Sequence, residues 1–339
     1  MAVLAGGRSS EHEISVQSGA SVVAALDPDR YDVVAVTIDQ AGGWELEAAR
    51  PLTLEPGRAG NSLVPRGPSE LAANGGGPID VVLPILHGPF GEDGTVQGLL
   101  EMLDMPYVGS GVLGSALTMD KDVVKRVLRD VGIAVARHEV FRNRRYDLDQ
   151  AEALGYPCFV KPARLGSSVG ISKVHDRSEL EPALELAFRH DGKVLVEEMI
   201  AGREVECGVL GNADPVVSVA GEIVLERGSE WYDFSAKYDE GGMSLIAPAD
   251  LDPAAADRLR EAARRAFEVC ECAGMARIDF FVTADNGVVL NEINTIPGFT
   301  STSVYARLFE ASGIGYQELL DRLIALALER HAEDASYRH

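Results

Sequence analysis

Cysteine is scarce in this chain of 339 residues: four in all, Cys158, Cys207, Cys270 and Cys272. They form no CxxC pair and no paired zinc spacing, so a disulfide framework and a zinc ribbon are both excluded, and buried thiols in a reducing compartment are expected. Basic residues are also in deficit, 31 Lys and Arg against 53 Asp and Glu, for a formal net charge of -22. Nucleic acid is a poor partner for such a surface, because phosphate binding needs a basic face. A small anionic ligand is not excluded, since it needs only a local cluster of Lys, Arg and backbone N–H groups. No window approaches the ~18 consecutive apolar residues of a membrane helix. No basic segment followed by a long apolar run opens the chain, so no signal peptide is expected. Internal repeats, low-complexity tracts and the GxxxxGK[ST] phosphate loop are missing as well.

What is present is the balance of a soluble globular protein, 46% hydrophobic and 25% charged, in a chain long enough for two or three domains. Ala2 to Leu4 reads as a strand ending in Gly6-Gly7. Val16, Ala20, Val23 and Leu26 follow at helical spacing. Asp32 to Ile38 and Asp80 to Leu86 are strand-like, separated by a Gly/Pro-rich connection over Pro51 to Pro78, and Val96 to Leu103 reads as a helix. Alternating strand and helix implies a mostly parallel sheet. A second segment opens with an amphipathic helix marked by Met119, Val123, Val124, Val127, Leu128 and Val131. Strands over Cys158 to Ala163, Val169 to Val174 and Val194 to Glu198 follow, with a helix from Glu179 to His190. Beyond Gly202, strands are expected over Glu204 to Leu210, Val216 to Val224, Ala276 to Thr283 and Gly287 to Ile293, with helices over Pro253 to Ala273 and Tyr316 to Arg330. The fold class is α/β and α+β: a Rossmann-like first domain over 1–116, then two mixed α+β lobes over 117–203 and 204–339.

Three stretches carry chemistry. In Lys161-Pro-Ala-Arg-Leu-Gly-Ser-Ser-Val-Gly170 a lysine ends a strand and a small Gly/Ser loop follows. Such a loop can fold over phosphates and donate backbone N–H groups while Lys161 supplies charge; a plain hairpin turn is the other reading. The same stretch matches the nucleophile elbow as Gly166-x-Ser168-x-Gly170, but that motif needs a helix after the serine, and a strand is expected here. The second stretch pairs Asp279, in Ala276-Arg-Ile-Asp-Phe-Phe, with Glu292 and Asn294. Period-2 alternation puts Glu292 and Asn294 on one face, and two carboxylates with an amide oxygen suit magnesium. The third, Glu197-Glu-Met-Ile-Ala-Gly-Arg-Glu204, is a strand-to-strand hinge whose carboxylates can accept from ribose or adenine, or simply form an acidic turn.

Together these stretches resemble the ATP-grasp superfamily, in which two α+β lobes close on ATP, and in detail the D-alanine–D-alanine ligase family. The matching stretches are Gly6-Gly-Arg-Ser-Ser-Glu-His-Glu-Ile-Ser15, Leu86-His-Gly-Pro-Phe-Gly-Glu-Asp-Gly94, Pro106-Tyr-Val-Gly-Ser110 and Met119-Asp-Lys121. The Lys161 loop, Ala236-Lys-Tyr238, Arg277-Ile-Asp279 and Asn291 to Ser303 complete the series. They run in the family order over nearly the whole chain. The resemblance implies that Glu11 holds the ammonium of the first D-alanine, although Ser10 and Glu13 also form a capping-box pattern. It implies that His87 positions the same substrate, and that Lys121, Lys161 and Lys237 meet the nucleotide phosphates. Lys237 would ride on a covering lid over 228–243, a segment equally readable as an exposed loop with aromatics packing back. Glu197 and Glu204 match adenine and ribose contacts. Ser167 and Tyr238 match positions that tie the lid to Glu11. Arg277 and Gly298 match groups at the reacting carbonyl, and Ser303 a contact to the second substrate. Asp279, Glu292 and Asn294 match the metal ligands. Leu165 and Glu198 depart from the polar or basic residues of some members, which puts second-tier contacts there in doubt.

The activity so implied is cytoplasmic ligation of two D-alanines for peptidoglycan precursor synthesis. ATP is the co-substrate, with two Mg²⁺ or Mn²⁺ ions; a monovalent cation and a homodimer are further expectations of the resemblance. ATP turns a poor electrophile into an acyl phosphate, which the second amine attacks. The family has a D-lactate branch in which the lid tyrosine is commonly phenylalanine, so Tyr238 favours the amine. A D-alanine–D-lactate ligase, another carboxylate–amine ligase and a Ser168 hydrolase are the rival readings.

Overall fold

The apolar opening of the chain forms β1 (Ala2–Gly6), buried along its whole length. The computed structural model describes residues 1–46, 50–52, 79–225 and 242–337. β1 lies between β2 (Val34–Ile38) and β5 (Val82–Pro84), parallel to both. The helix α1 (His12–Ala25) connects β1 to β2, the connection that parallel neighbours require. β3 (Trp44–Leu46) and β4 (Arg50–Leu52) extend the sheet antiparallel beyond β2, giving the order β4-β3-β2-β1-β5. One face of this sheet is covered by α2 (Thr95–Met102), through Val96 and Leu100. The expected connection over 51–78 lies, from residue 53 onward, outside the described residues.

Two antiparallel sheets follow. α3 (Val112–Met119) and α4 (Lys121–Asp130) lead to β6 (His138–Arg142), α5 (Leu148–Glu152), β7 (Cys158–Pro162), β8 (Ser172–Val174), α6 (Arg177–Ala187) and β9 (Lys193–Glu198). These strands pair in the order β6-β9-β7-β8. The third sheet has the order β13-β12-β10-β14-β15, with β11 beside β10. Its strands are β10 (Gly202–Gly211), β11 (Val216–Val217), β12 (Gly221–Leu225), β13 (Met243–Ile246), β14 (Gly274–Thr283) and β15 (Val288–Asn294). Alternation along β10 buries Val205, Cys207 and Val209 against α7 (Pro253–Val269). That helix starts where Asp252 caps it through the Ala255 N–H at 3.0 Å, with Pro253 in the first turn. α8 (Val304–Ala311) and α9 (Tyr316–Asp334) end the described chain.

Two packing relations position the site. Val124 and Leu128 of α4 lie in the core of the third sheet, while the helix's N-terminus is tied to the second sheet. There the Lys121 N–H donates to Ala163 O at 3.0 Å, and Lys193 pairs with Asp120 and Asp122, each at 2.6 Å. α9 returns to the first sheet, where Leu319, Leu320 and Leu323 share a core with Met1, Val3 and Val22. The expected single strand over Val216 to Val224 is broken into β11 and β12, because Ser218 turns its hydroxyl to the Gly208 N–H at 2.9 Å. All four cysteines are free and buried, and burial raises each thiol's pKa. Among the described residues no helix is long and apolar enough to cross a membrane.

Candidate active site

Glu11 closes the turn after β1 and is the N-cap residue of α1, but its side chain makes no capping bond. The capping reading of Ser10 and Glu13 is therefore not what the helix uses. The Glu11 carboxylate, buried at 6% exposure, instead accepts from the Ser167 hydroxyl, while its own N–H donates to Ser9 Oγ at 3.2 Å. Ser9 in turn donates to His87 O at 2.7 Å. Two glycines make room for this carboxylate. A Cβ on Gly88 would lie 2.5 Å from Glu11 Oε2, and Gly88 has φ +72°. A Cβ on Gly166 would lie 3.2 Å from the same oxygen. Three stretches far apart in sequence thus converge on one carboxylate.

His87 follows β5. Its Nδ1 lies 2.9 Å from Ile296 O, and its Nε2 is buried with no hydrogen-bond partner among the described residues. Burial lowers its pKa against the opposing pull of Glu11, so the ring is neutral. With Nδ1 donating to the carbonyl, Nε2 is left as an acceptor on the cavity wall. Glu92, from the same loop, accepts from Gly88 N–H at 2.6 Å and from Ile296 N–H at 3.4 Å. Burial first, and the Glu11 charge second, push its carboxyl up to about 8.

The lysines lie on the other side. Lys161, ending β7, pairs with Glu197 of β9 at 2.9 Å, and Lys125 of α4 reaches the second oxygen of Glu197 at 3.3 Å. Burial alone would raise the Glu197 carboxyl, but Lys125 and Lys161 outweigh it and hold it at about 2. Lys125 is itself nearly inaccessible and also donates to Asn291 O at 3.0 Å. Lys121, one helical turn before Lys125, donates to Leu165 O at 2.7 Å and stands 4.0 Å from Glu292. Leu165, the departure from the family pattern, thus contributes through its carbonyl. Glu198, the other departure, pairs with Arg137 at 2.6 Å.

On the third sheet, the register sets Asp279 opposite Glu292 and Arg277 opposite Asn294. These four residues share one face, as the period-2 reading expects. The Arg277 guanidinium holds Asp279 by two hydrogen bonds, at 2.8 and 2.7 Å, and reaches Glu206 of β10 at 2.9 Å. Asn294 Oδ1 accepts from Ile296 N–H at 3.1 Å. Gly298 sits at the start of the loop into α8, where an added Cβ would lie 3.4 Å from Ser303 Oγ. Ser303 Oγ accepts from Thr300 N–H at 3.0 Å.

Two cavities run through this arrangement. One, of about 420 Å³, lies between the second and third sheets and is lined by Lys161, Glu197, Glu204, Glu206 and Asp279 among others. The other, of about 440 Å³, lies against the first sheet and is lined by Glu11, His87, Arg277, Asn294, Gly298 and Ser303 among others. Lys121, Gly166, Ser167, Asn291 and Glu292 line both. The expected residues Glu11, His87, Lys121, Lys161, Ser167, Glu197, Glu204, Arg277, Asp279, Glu292, Asn294, Gly298 and Ser303 are therefore gathered around two adjoining spaces. Lys237 and Tyr238, with the expected lid from 228 to 241, lie outside the described residues. Ser168 is followed by a turn and β8 rather than a helix, so it does not form a nucleophile elbow.

Sequence reasoning passed over Lys125, Glu92 and Glu206. Lys125 repeats Lys121 at helical spacing, and Glu206 repeats Glu204 at strand spacing, so each lies on the face already singled out. Glu92 stood inside a quoted motif without a role.

Among the described residues no group of three or more His, Cys, Asp and Glu side chains is arranged to hold a metal ion. The chemistry of the donor set still fits a hard divalent cation: Asp279 and Glu292 are side by side on adjacent strands with the amide oxygen of Asn294 next along the face. Arg277 occupies both oxygens of the Asp279 carboxylate.

Two antiparallel sheets enclosing a lysine- and carboxylate-lined cavity, with a mixed sheet walling a second cavity beside it, are the ATP-grasp fold. The chain belongs to the D-alanine–D-alanine ligase family. The family model for the D-ala D-ala ligase N-terminus matches residues 1–110 and that for the C-terminus residues 127–325. It is 47% identical to D-alanine–D-alanine ligase A of Escherichia coli (strain K12), over 98% of this chain and 96% of that protein. Among solved structures it is similar to the D-alanine-D-alanine ligase from Coxiella burnetii, with a TM-score of 0.84 and 38% identity over 98% of this chain and 95% of that one. The VanG D-Ala:D-Ser ligase from Enterococcus faecalis gives 0.83 and 36%, over 96% and 98%. The D-alanine–D-alanine ligase from Bacillus anthracis complexed with ATP gives 0.77 and 29%, over 98% of each.

Proposed function

We propose that the protein joins two D-alanine molecules into D-alanyl-D-alanine, converting ATP to ADP and phosphate, as a cytoplasmic step in peptidoglycan precursor synthesis. The observation that carries this reading is the meeting of two cavities at Lys121, Gly166, Ser167, Asn291 and Glu292. One space suits a nucleotide, the other two small amino acids, and phosphoryl transfer needs a boundary where both arrive.

In this reading ATP occupies the cavity between the second and third sheets. Glu197 and Glu204 meet adenine and ribose, and Lys121, Lys161 and Lys237 meet the phosphates. Asp279, Glu292 and Asn294 would hold Mg²⁺ or Mn²⁺, two ions in all; bound there, the ions neutralise charge on the transferred phosphoryl group. Glu11 receives the ammonium of the first D-alanine, and Ser167 and Tyr238 orient Glu11. His87 faces the same substrate as a neutral ring. The carboxylate of that D-alanine attacks the γ-phosphorus and ADP leaves, giving an acyl phosphate. The amine of the second D-alanine, oriented by Ser303, then attacks the acyl carbon. Arg277 and the Gly298 N–H stabilise the oxyanion, a donor being worth ~3 kcal/mol, and phosphate leaves. No side-chain nucleophile is used, so Ser168 has no covalent role.

The same reading keeps three units, 1–116, 117–203 and 204–339, closing on one another around ATP. It includes a homodimer: Leu99 and Met102 of α2 and Val112 and Leu113 of α3 are exposed apolar residues that a second copy would cover. It extends to a monovalent cation near the phosphates.

The test is ADP release with D-alanine, L-alanine, or no amino acid, and with D-alanine plus D-lactate or D-serine, each with and without Mg²⁺. Release with D-alanine alone that needs Mg²⁺ is expected. No release with D-alanine sinks the proposal, and release only when D-lactate or D-serine joins D-alanine moves it to another branch. The D-serine arm is there because the VanG enzyme is similar over nearly the whole chain.

A further inference from the structure

We propose that Glu206 is a positioning residue that keeps Arg277 in the site when Asp279 gives up its carboxylate to a divalent cation. This deepens the proposed function and rests on its reading of Asp279 and Arg277. The register sets Glu206 of β10 opposite Asp279 of β14, and Asp279 opposite Glu292 of β15. Three carboxylates therefore form a row across three adjacent strands on one face, with Arg277 two residues along the same face. The Arg277 Nε–H lies 2.9 Å from Glu206 Oε2 and 2.8 Å from Asp279 Oδ1. The Nε hydrogen bond goes to Asp279, and Glu206 Oε2 meets the same nitrogen as an ion pair without a hydrogen bond. Arg277 Nη2 adds a second bond to Asp279 at 2.7 Å.

A cation taking Asp279 removes both of those bonds and places a like charge beside the guanidinium. Without a second carboxylate beside it, Arg277 would be held less firmly at the wall of the substrate cavity. Glu206 changes that outcome. It is buried at 2% exposure, and such a carboxylate needs a counter-charge in every state of the site. As Asp279 withdraws, Nε–H is free to turn to Glu206, whose Oε2 already lies 2.9 Å from Nε. The Arg277–Glu206 pair is then neutral, which lowers the cost of the approaching ion, and the guanidinium stays where the oxyanion forms.

The experiment is Mn²⁺ titration in the presence of ADP, followed by electron paramagnetic resonance, on Glu206→Gln, Arg277→Met and the double variant. Outer-sphere partners of a metal site typically contribute 10–100-fold. Glu206→Gln, which removes that counter-charge from beside Arg277, is expected to weaken Mn²⁺ by about tenfold. In the Arg277→Met background the same substitution is expected to change affinity by less than about twofold, within ordinary additivity error. Equal weakening in both backgrounds would show a direct charge effect and overturn the inference, as would no weakening in either. Should Glu206→Gln fail to give a cooperative melt, Glu206→Asp, whose shorter reach loosens the same contact, takes its place in the cycle. Asp279→Asn is the separate control. If it binds Mn²⁺ like the parent, the metal reading fails and takes this inference with it; if it loses Mn²⁺ while the cycle shows no coupling, only the inference fails.

Discussion

The hydroxyl of Ser167 donates to the carboxylate of Glu11, joining the loop after β7 to the first turn of α1 across 156 residues of chain. A hydrogen bond to a charged group is worth ~1.5–3 kcal/mol. Ser167→Ala is expected to lower kcat/KM for D-alanine by about 10–100-fold with little change in KM for ATP. Steady-state kinetics with each substrate varied in turn checks this. A fall in ATP affinity of the same size would mean that Ser167 serves the nucleotide instead.

Gly88 leaves no room for a side chain. Its φ of +72° is costly for any L residue, and a Cβ would press on Glu11 Oε2 at 2.5 Å. Gly88→Ala is expected to destabilise by ~1–3 kcal/mol and to remove activity beyond the loss in folded protein, because the carboxylate is displaced. Denaturant melts alongside activity per folded molecule make the comparison. Full activity at reduced stability would refute the second half.

Glu92 gives a pH dependence with a definite sign. Its folded carboxyl, pushed up to about 8, keeps a proton that the unfolded chain releases near the ordinary carboxylate value of 4.5. The folded state binds more protons across that window, so stability falls as pH rises from about 4.5 to about 8. Glu92→Gln removes the group, and its melting temperature is expected to be flatter between pH 5 and 8 than the parent's. Equal slopes for parent and variant rule out this account.

Glu197 works in the opposite sense. Its folded carboxyl is held at about 2 by Lys125 and Lys161, so its contribution is fully present above the unfolded value near 4.5 and is lost as pH falls toward 2. Lys125→Met takes away one of the two counter-charges. Breaking a buried pair costs ~3–5 kcal/mol, and the acid unfolding midpoint is expected to move to higher pH. An unchanged midpoint by circular dichroism counts against the pairing as a source of acid stability.

Glu292→Gln keeps the shape of the side chain and removes its charge from the proposed cation set. Turnover is expected to be lost while the melting curve stays within ~1 kcal/mol of the parent, since Glu292 is only partly buried. Retained turnover would refute its role as a ligand.

How much of this was legible in the sequence depended on whether a signal was local. α1, α6, β10, α7 and β14 are legible because one face of each meets a core, and β1 because its short apolar run is buried on both faces. Short elements such as β3, β4, β6, α5 and α8 are not, since three to eight residues hold too few repeats to show a period. In the site, alternation put Glu292 and Asn294 on one face, and the register sets Asp279 opposite Glu292 on the neighbouring strand. The contact between Glu11 and Ser167 was expected only through family resemblance, since nothing local in either stretch predicts that they touch. Lys125 was missed for a related reason: a buried lysine on an amphipathic helix looks like a solvated one until its partner, Glu197, is seen 3.3 Å away.

The return of α9 to the first sheet sets a schedule for synthesis. Met1, Val3 and Val22 bury one face of that sheet against a core that includes Leu319, Leu320, Leu323 and Ala327. Arg330 reaches Tyr107 O at 3.3 Å, and Tyr31 donates to Asp321 at 2.8 Å. A nascent chain makes the strand Ala2–Gly6 long before the helix Tyr316–Asp334 that covers it. On a ribosome adding ~5–20 residues per second, the sheet that carries Glu11 spends many seconds with that face uncovered. A strand made early thus waits, half-covered, for a helix from a distant part of the same chain.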